Sequence, residues 1–169
     1  MRQFSLLTVA TVAASILGSA AHAQQPAAAP PPPPQYGMPI SLADAMKVAA
    51  AAKANSEKLH INSVITIVGP SGDLIYFMKM DGAQYGSIAI SRAKARTAAI
   101  YRRPTKVFED VVAGGGFGMT ALTLPDVIAS AGGLPIMQNG KLVGAIGVSG
   151  APRSVIDQES SQAGLDALK

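Results

Sequence analysis

The sequence predicts an α+β domain built on a mainly antiparallel sheet. Three observations carry that prediction. Asn139-Gly140 separates two apolar runs, and this dipeptide suits a type I′ turn, whose central residues both take positive φ. Gly69-Pro70-Ser71-Gly72-Asp73 separates two further apolar runs, residues 63–68 and 74–80, so a second hairpin is expected. Segments with helical spacing precede, divide and follow the hairpins.

The elements follow in order. Ser41 with Asp44 three residues on marks a helix start, and Leu42, Ala45, Met46, Ala49 and Ala52 recur at helical spacing to about Lys58. The strands 63–68 and 74–80 are apolar on both faces, which predicts a sheet covered on both sides. Ser87 is the expected cap of a second helix running to about Arg102, where Pro104 disfavours helical geometry at Arg103. Thr105 is the expected cap of a short third helix, broken by the glycines of 114–118, which are read as a mobile loop. A short strand is expected at 127–131, and a last helix after Pro152. In the second arm of the Asn139-Gly140 hairpin, Leu142, Gly144, Ile146 and Val148 fall on one side and Val143, Ala145 and Gly147 on the other. The second side is nearly flat, so a helix or another subunit can approach the strand backbone there.

The first residues stand apart. Met1-Arg2, an apolar run from Leu6 to Leu17 and Ala21-His22-Ala23 have the three regions of a secretory leader, so 1–23 is read as a signal peptide. Residues 24–39 are an Ala/Pro-rich linker, with five prolines from Pro30 to Pro34 that favour extended polyproline II. The domain is then 40–169, and the protein is expected to be periplasmic or secreted. Cleavage after Ala23 leaves 13 Lys+Arg against 10 Asp+Glu, spread without a basic block, so nucleic acid is not an expected partner. There is no cysteine, hence no disulfide, thiolate nucleophile or Cys-ligated metal.

Five local patterns occur in order between Ile40 and Leu168: Lys79-Met80-Asp81-Gly82-Ala83, Arg92-Ala93-Lys94-Ala95-Arg96-Thr97-Ala98, Pro104-Thr105, Gly132-Gly133-Leu134-Pro135, and residues 144–151. Together they resemble the GlcG/HbpS-like haem-binding family. The resemblance implies a profilin-like, five-stranded, mainly antiparallel sheet with helices on both faces. It implies homo-oligomers, octamers among them, and haem or a related tetrapyrrole as ligand. It also implies roles in haem breakdown or redox sensing. Two positions depart from the family pattern: Val68-Gly69 where Val-Asp is common, and Lys79 where Arg is usual.

The candidate site residues are few. His60 is the one histidine left after leader cleavage, and a neutral imidazole is a good iron ligand, although a lone loop histidine is usually an ordinary surface residue. Met78, Met80, Met119 and Met137 could offer thioethers, or simply fill the core. The family resemblance implies Thr105 as an iron-proximal hydroxyl. Arg92 and Arg96, four apart on one helix face, could clamp propionate carboxylates, with Arg103 extending the stripe if the helix persisted; a solvated face is the plainer alternative. The glycines of 114–118 lack the Gly-Lys-Ser/Thr ending of a phosphate loop. Gly147-Val148-Ser149-Gly150-Ala151 departs from a nucleophile elbow, and no acid/base pair is legible. No catalytic residue is assigned, and haem degradation rests on the resemblance alone. Two function classes result: an exported haem-binding protein that handles haem or senses redox state, or a cofactor-free assembly protein of the same fold that partners a neighbouring enzyme or sensor.

Overall fold

Four strands form one sheet in the order β2-β1-β4-β3, with every neighbouring pair antiparallel. The structure is a computed structural model that describes residues 31–169. The expected leader and residues 24–30 of the expected linker lie outside the described residues. Pro32–Lys169 forms the folded unit.

The strands are β1 (Val64–Val68), β2 (Leu74–Lys79), β3 (Gly133–Gln138) and β4 (Lys141–Ser149). The helices are α1 (Leu42–Lys58), α2 (Gly86–Ile100), α3 (Lys106–Ala113) and α4 (Ser154–Asp166). Ser41 caps α1 as expected, its hydroxyl accepting from the Asp44 amide at 3.1 Å. Asn139 and Gly140 turn the β3–β4 hairpin at φ 50° and 73°, the positive values a type I′ turn needs.

Helices cover both faces. On one, α1 and α4 bury Val48, Ala49, Ala52 and Leu165 against Ile65, Ile67, Ile136, Ile146 and Val148. On the other, Ala95, Ala98 and Ala99 of α2 pack on Val68 and Ala145. The flat side of β4 is therefore filled by α2 within the same chain. A Cβ on Gly147 would stand 2.1 Å from the Ser91 carbonyl oxygen and 2.5 Å from the Ala95 amide nitrogen. Small hydroxyls replace bulk at this contact: Thr66 and Ser91 hydrogen-bond at 2.9 Å, and Ser149 donates to Ser87 at 3.2 Å.

Several local expectations change. The resemblance implies five strands, and four form among the described residues. No strand forms at 127–131, because its backbone donors go to side chains: the Ile128 amide to Thr97 Oγ1 and the Ala131 amide to Glu109. Val143 leaves the flat side, since the β3–β4 register shifts there and turns it into the α1/α4 core. Strand β2 is an edge strand and stays half-exposed rather than covered. Ser87 lies inside α2 and does not cap it, being buried against Ser149 and Gln84. Helix α2 ends at Ile100, two residues early, and Arg102 turns the chain at φ 54°. A 3₁₀ helix, Gly116–Thr123, takes up the last three residues of the 114–118 stretch expected as a mobile loop.

The end of the linker is tied to this frame. Gln35 and Gly37 exchange backbone hydrogen bonds with Leu142 at 2.8 and 2.7 Å. The Tyr36 hydroxyl donates to the Ile100 carbonyl at 2.9 Å, and the Arg102 guanidinium lies 5.1 Å from the Tyr36 ring centre.

Candidate functional site

An opening lies beside the middle of α2. Helix α2 covers β4, β1 and β3, and between it and the β1–β2 turn runs a groove of about 420 Å³. Val68, Leu74, Ala93 and Val127 give it an apolar lining, and Arg92, Arg96, Asp73 and Asp126 give it charge. Arg92 and Arg96 are one helical turn apart on α2, so both line the same groove.

The two arginines differ in their surroundings. Among the described residues Arg92 has no hydrogen-bond or ion-pair partner. Arg96 is held on two sides. Its Nη2 pairs with Asp126 Oδ2 at 3.2 Å, and its side chain lies across Gly72, where an added Cβ would meet Arg96 Cγ and Nη1 at 3.0 Å. Gly72 has φ 85°, so the turn needs glycine for its backbone as well as for this contact. The Asp73 carboxylate accepts from the Ser71 hydroxyl at 2.7 Å.

The remaining candidates lie elsewhere. Arg103 is outside the groove: its Nε donates to the Tyr101 carbonyl and its guanidinium stands 5.9 Å from the Phe108 ring centre. The positive φ of Arg102, two residues before Pro104, takes Arg103 off the helical stripe, so the arginine stripe is a pair. His60 is exposed in the turn after α1, at φ 56°. Thr105 is fully buried. It does not cap α3; its hydroxyl accepts from the Gly133 amide at 2.9 Å, and its own amide donates to the Gly133 carbonyl. Neither His60 nor Thr105 lines the arginine groove. Met78 and Met80 line a separate surface hollow beside Lys79, and the Met80 sulfur accepts from the Ser63 amide. Ser149 is buried, its hydroxyl spent on Ser87.

Sequence reasoning missed two charged features. Lys94 and Asp157 form a fully buried ion pair at 2.8 Å, with Lys94 also donating to the Val148 carbonyl and Asp157 accepting from the Ala151 amide. This pair fastens α2 to β4 and to the start of α4, shielded from solvent. Asp126 is the second. The sequence signal available for it was Pro125-Asp126, a turn dipeptide, but nothing in it points to Arg96 thirty residues earlier. Among the described residues no group of three or more His, Cys, Asp or Glu could hold a metal ion. Among them, too, no helix is long and apolar enough to cross a membrane.

The chain thus combines an α+β layered fold, in which alanine-rich α2 packs on a glycine-containing strand, with an open groove beside α2. The chain belongs to the family described as haem degrading protein, HbpS-like, whose model matches residues 40–166. It is 35% identical over 106 residues to protein GlcG of Escherichia coli K12, covering 62% of this chain and 77% of the relative. It is similar in structure to Streptomyces reticuli HbpS, crystallised as a double mutant. There the TM-score is 0.72 at 30% identity over 85% of this chain and 99% of that one. It is also similar to PduOC, crystallised as a haem complex, with a TM-score of 0.69 at 26% identity over 77% of this chain and 95% of that one.

Proposed function

We propose that this protein is an exported haem-binding protein and that Arg92 and Arg96 receive the propionate carboxylates. The observation that carries this reading is the groove itself: two guanidiniums over an apolar lining, in a chain of a haem-handling family. The residues present fit the polar edge of haem. Guanidinium–carboxylate pairs form two parallel hydrogen bonds, and the apolar lining suits the carbon skeleton beside a propionate. Bound haem would supply a redox-active iron, which links haem handling to redox sensing. Arg92 anchors, while Arg96 is pre-aimed by Gly72. Neither His60 nor Thr105 lines this groove, so the propionate contact stands independently of both.

The leader read in residues 1–23 supports export, and the Ala/Pro-rich stretch that follows it supports a spacer ahead of the domain. A symmetric homo-oligomer is part of the same proposal. Its support has moved from the flat side of β4, which α2 fills, to α3 and the 3₁₀ helix. There Val107, Val111, Phe117, Met119 and Leu122 are exposed, Phe117 by 89%. Such a concentration of exposed apolar side chains marks contact surfaces more often than free surface. That same patch also favours the second reading, an assembly protein without cofactor.

The test is a haemin titration of the wild-type chain and of the Arg92→Ala/Arg96→Ala double variant, read at the Soret band. The wild type should saturate. The double variant should bind more weakly, by about 1.5–3 kcal/mol for each charge-assisted hydrogen bond removed from a sheltered site and less for an exposed one, with unchanged coordination bands. Equal affinity in the two would place the propionates elsewhere.

A further inference from the structure

Asp126 has an arrangement that an ordinary surface ion pair does not require. It is a non-glycine residue at φ 59°, a left-handed conformation that costs a side chain energy and persists where surrounding contacts hold it. Three contacts from α2 and the residue after it do so. The Thr97 hydroxyl donates to the Asp126 carbonyl at 2.6 Å and accepts from the Ile128 amide at 3.1 Å, and the Tyr101 hydroxyl donates to the Pro125 carbonyl at 2.7 Å. These contacts deny residues 127–131 a place in the sheet. They also set one carboxylate oxygen on Arg96 Nη2, in the groove that Arg92 shares.

We propose that the groove is a carboxylate site in which Asp126 occupies the place of a ligand carboxylate on Arg96. A ligand with one carboxylate engages Arg92 and leaves the internal pair intact. A ligand with two adjacent carboxylates, such as the propionate edge of haem, takes Arg92 with one and displaces Asp126 from Arg96 with the other. Asp126 thus sets a threshold that favours dicarboxylates, whose second bidentate contact offsets that displacement. This rests on the haem reading for the identity of the ligand, while the competition itself applies to any carboxylate.

The experiment compares the full chain with its Asp126→Asn and Asp126→Asn/Arg96→Ala variants. Each is titrated with haemin at low and at high ionic strength, and each is melted in increasing succinate. Asp126→Asn should bind haemin about two- to fivefold more tightly, the size of one exposed ion pair, with the gain shrinking in salt and abolished by Arg96→Ala. If haemin binds the wild type and Asp126→Asn equally, or binds Asp126→Asn more weakly, the competition is overturned and haem binding stands. If haemin binds none of them, the haem reading fails and succinate decides. A larger rise in melting temperature for Asp126→Asn than for wild type then supports the carboxylate site, and an equal or absent rise overturns it.

Discussion

Lys94 is a charged side chain only 1% exposed, and its charge is met by Asp157 and the Val148 carbonyl. Removing one partner strands the other without water, which costs about 3–5 kcal/mol, whereas removing both leaves far less to satisfy. Lys94→Met should therefore lower stability to urea by roughly that amount. Lys94→Met with Asp157→Leu should recover much of the loss, short of the Ala151 amide left without its acceptor. Circular dichroism of the two variants checks this, and equal losses in both would contradict it. Neither partner was legible as such in the sequence, because the pair spans 63 positions and only the fold joins them. The Arg92–Arg96 pair was legible because i,i+4 spacing on a helix is local geometry. The Thr105 hydroxyl, expected to cap α3, was claimed by Gly133, a residue 28 positions away.

Helix α2 and strand β4 meet closely enough that the strand's glycine is part of the joint. Gly147→Ala would drive a methyl group into the α2 backbone at Ser91 and Ala95, atoms that cannot rotate aside. Overpacking of this kind costs about 1–3 kcal/mol, so the variant should melt several degrees lower, while Gly140→Ala meets no neighbouring atom and is limited to the strain of φ 73°. Thermal denaturation of the two side by side separates crowding from backbone strain. Element identity was readable from hairpin turns and helical spacing, since both are encoded within a few residues. The strand expected at 127–131 was not refuted by anything local: its amides are captured by Thr97 and Glu109, which belong to α2 and α3. The flatness of β4 was legible, but whether a helix or a second subunit fills it depends on where α2 is placed, which no local pattern states.

For the whole molecule, the layered architecture leaves a groove beside α2 and an apolar patch on α3 and the 3₁₀ helix. That patch predicts association. Light scattering at micromolar concentration should return a mass several times that of one chain, and Phe117→Ser with Val111→Ser should reduce it; a concentration-independent monomer would remove the assembly proposal. The five ordered motifs made the family legible along nearly the whole domain, whereas the ligand geometry was not, because His60, Thr105 and the arginine pair occupy separate places in one chain. The proposed function depends above all on haem being held through its carboxylates. A pair of titrations tests this, haemin against haemin dimethyl ester, followed at the Soret band under the same conditions. Haemin should saturate and the ester should bind markedly more weakly, with the difference abolished in Arg92→Ala/Arg96→Ala; equal affinity for the two ligands, or saturation by neither, would rule it out.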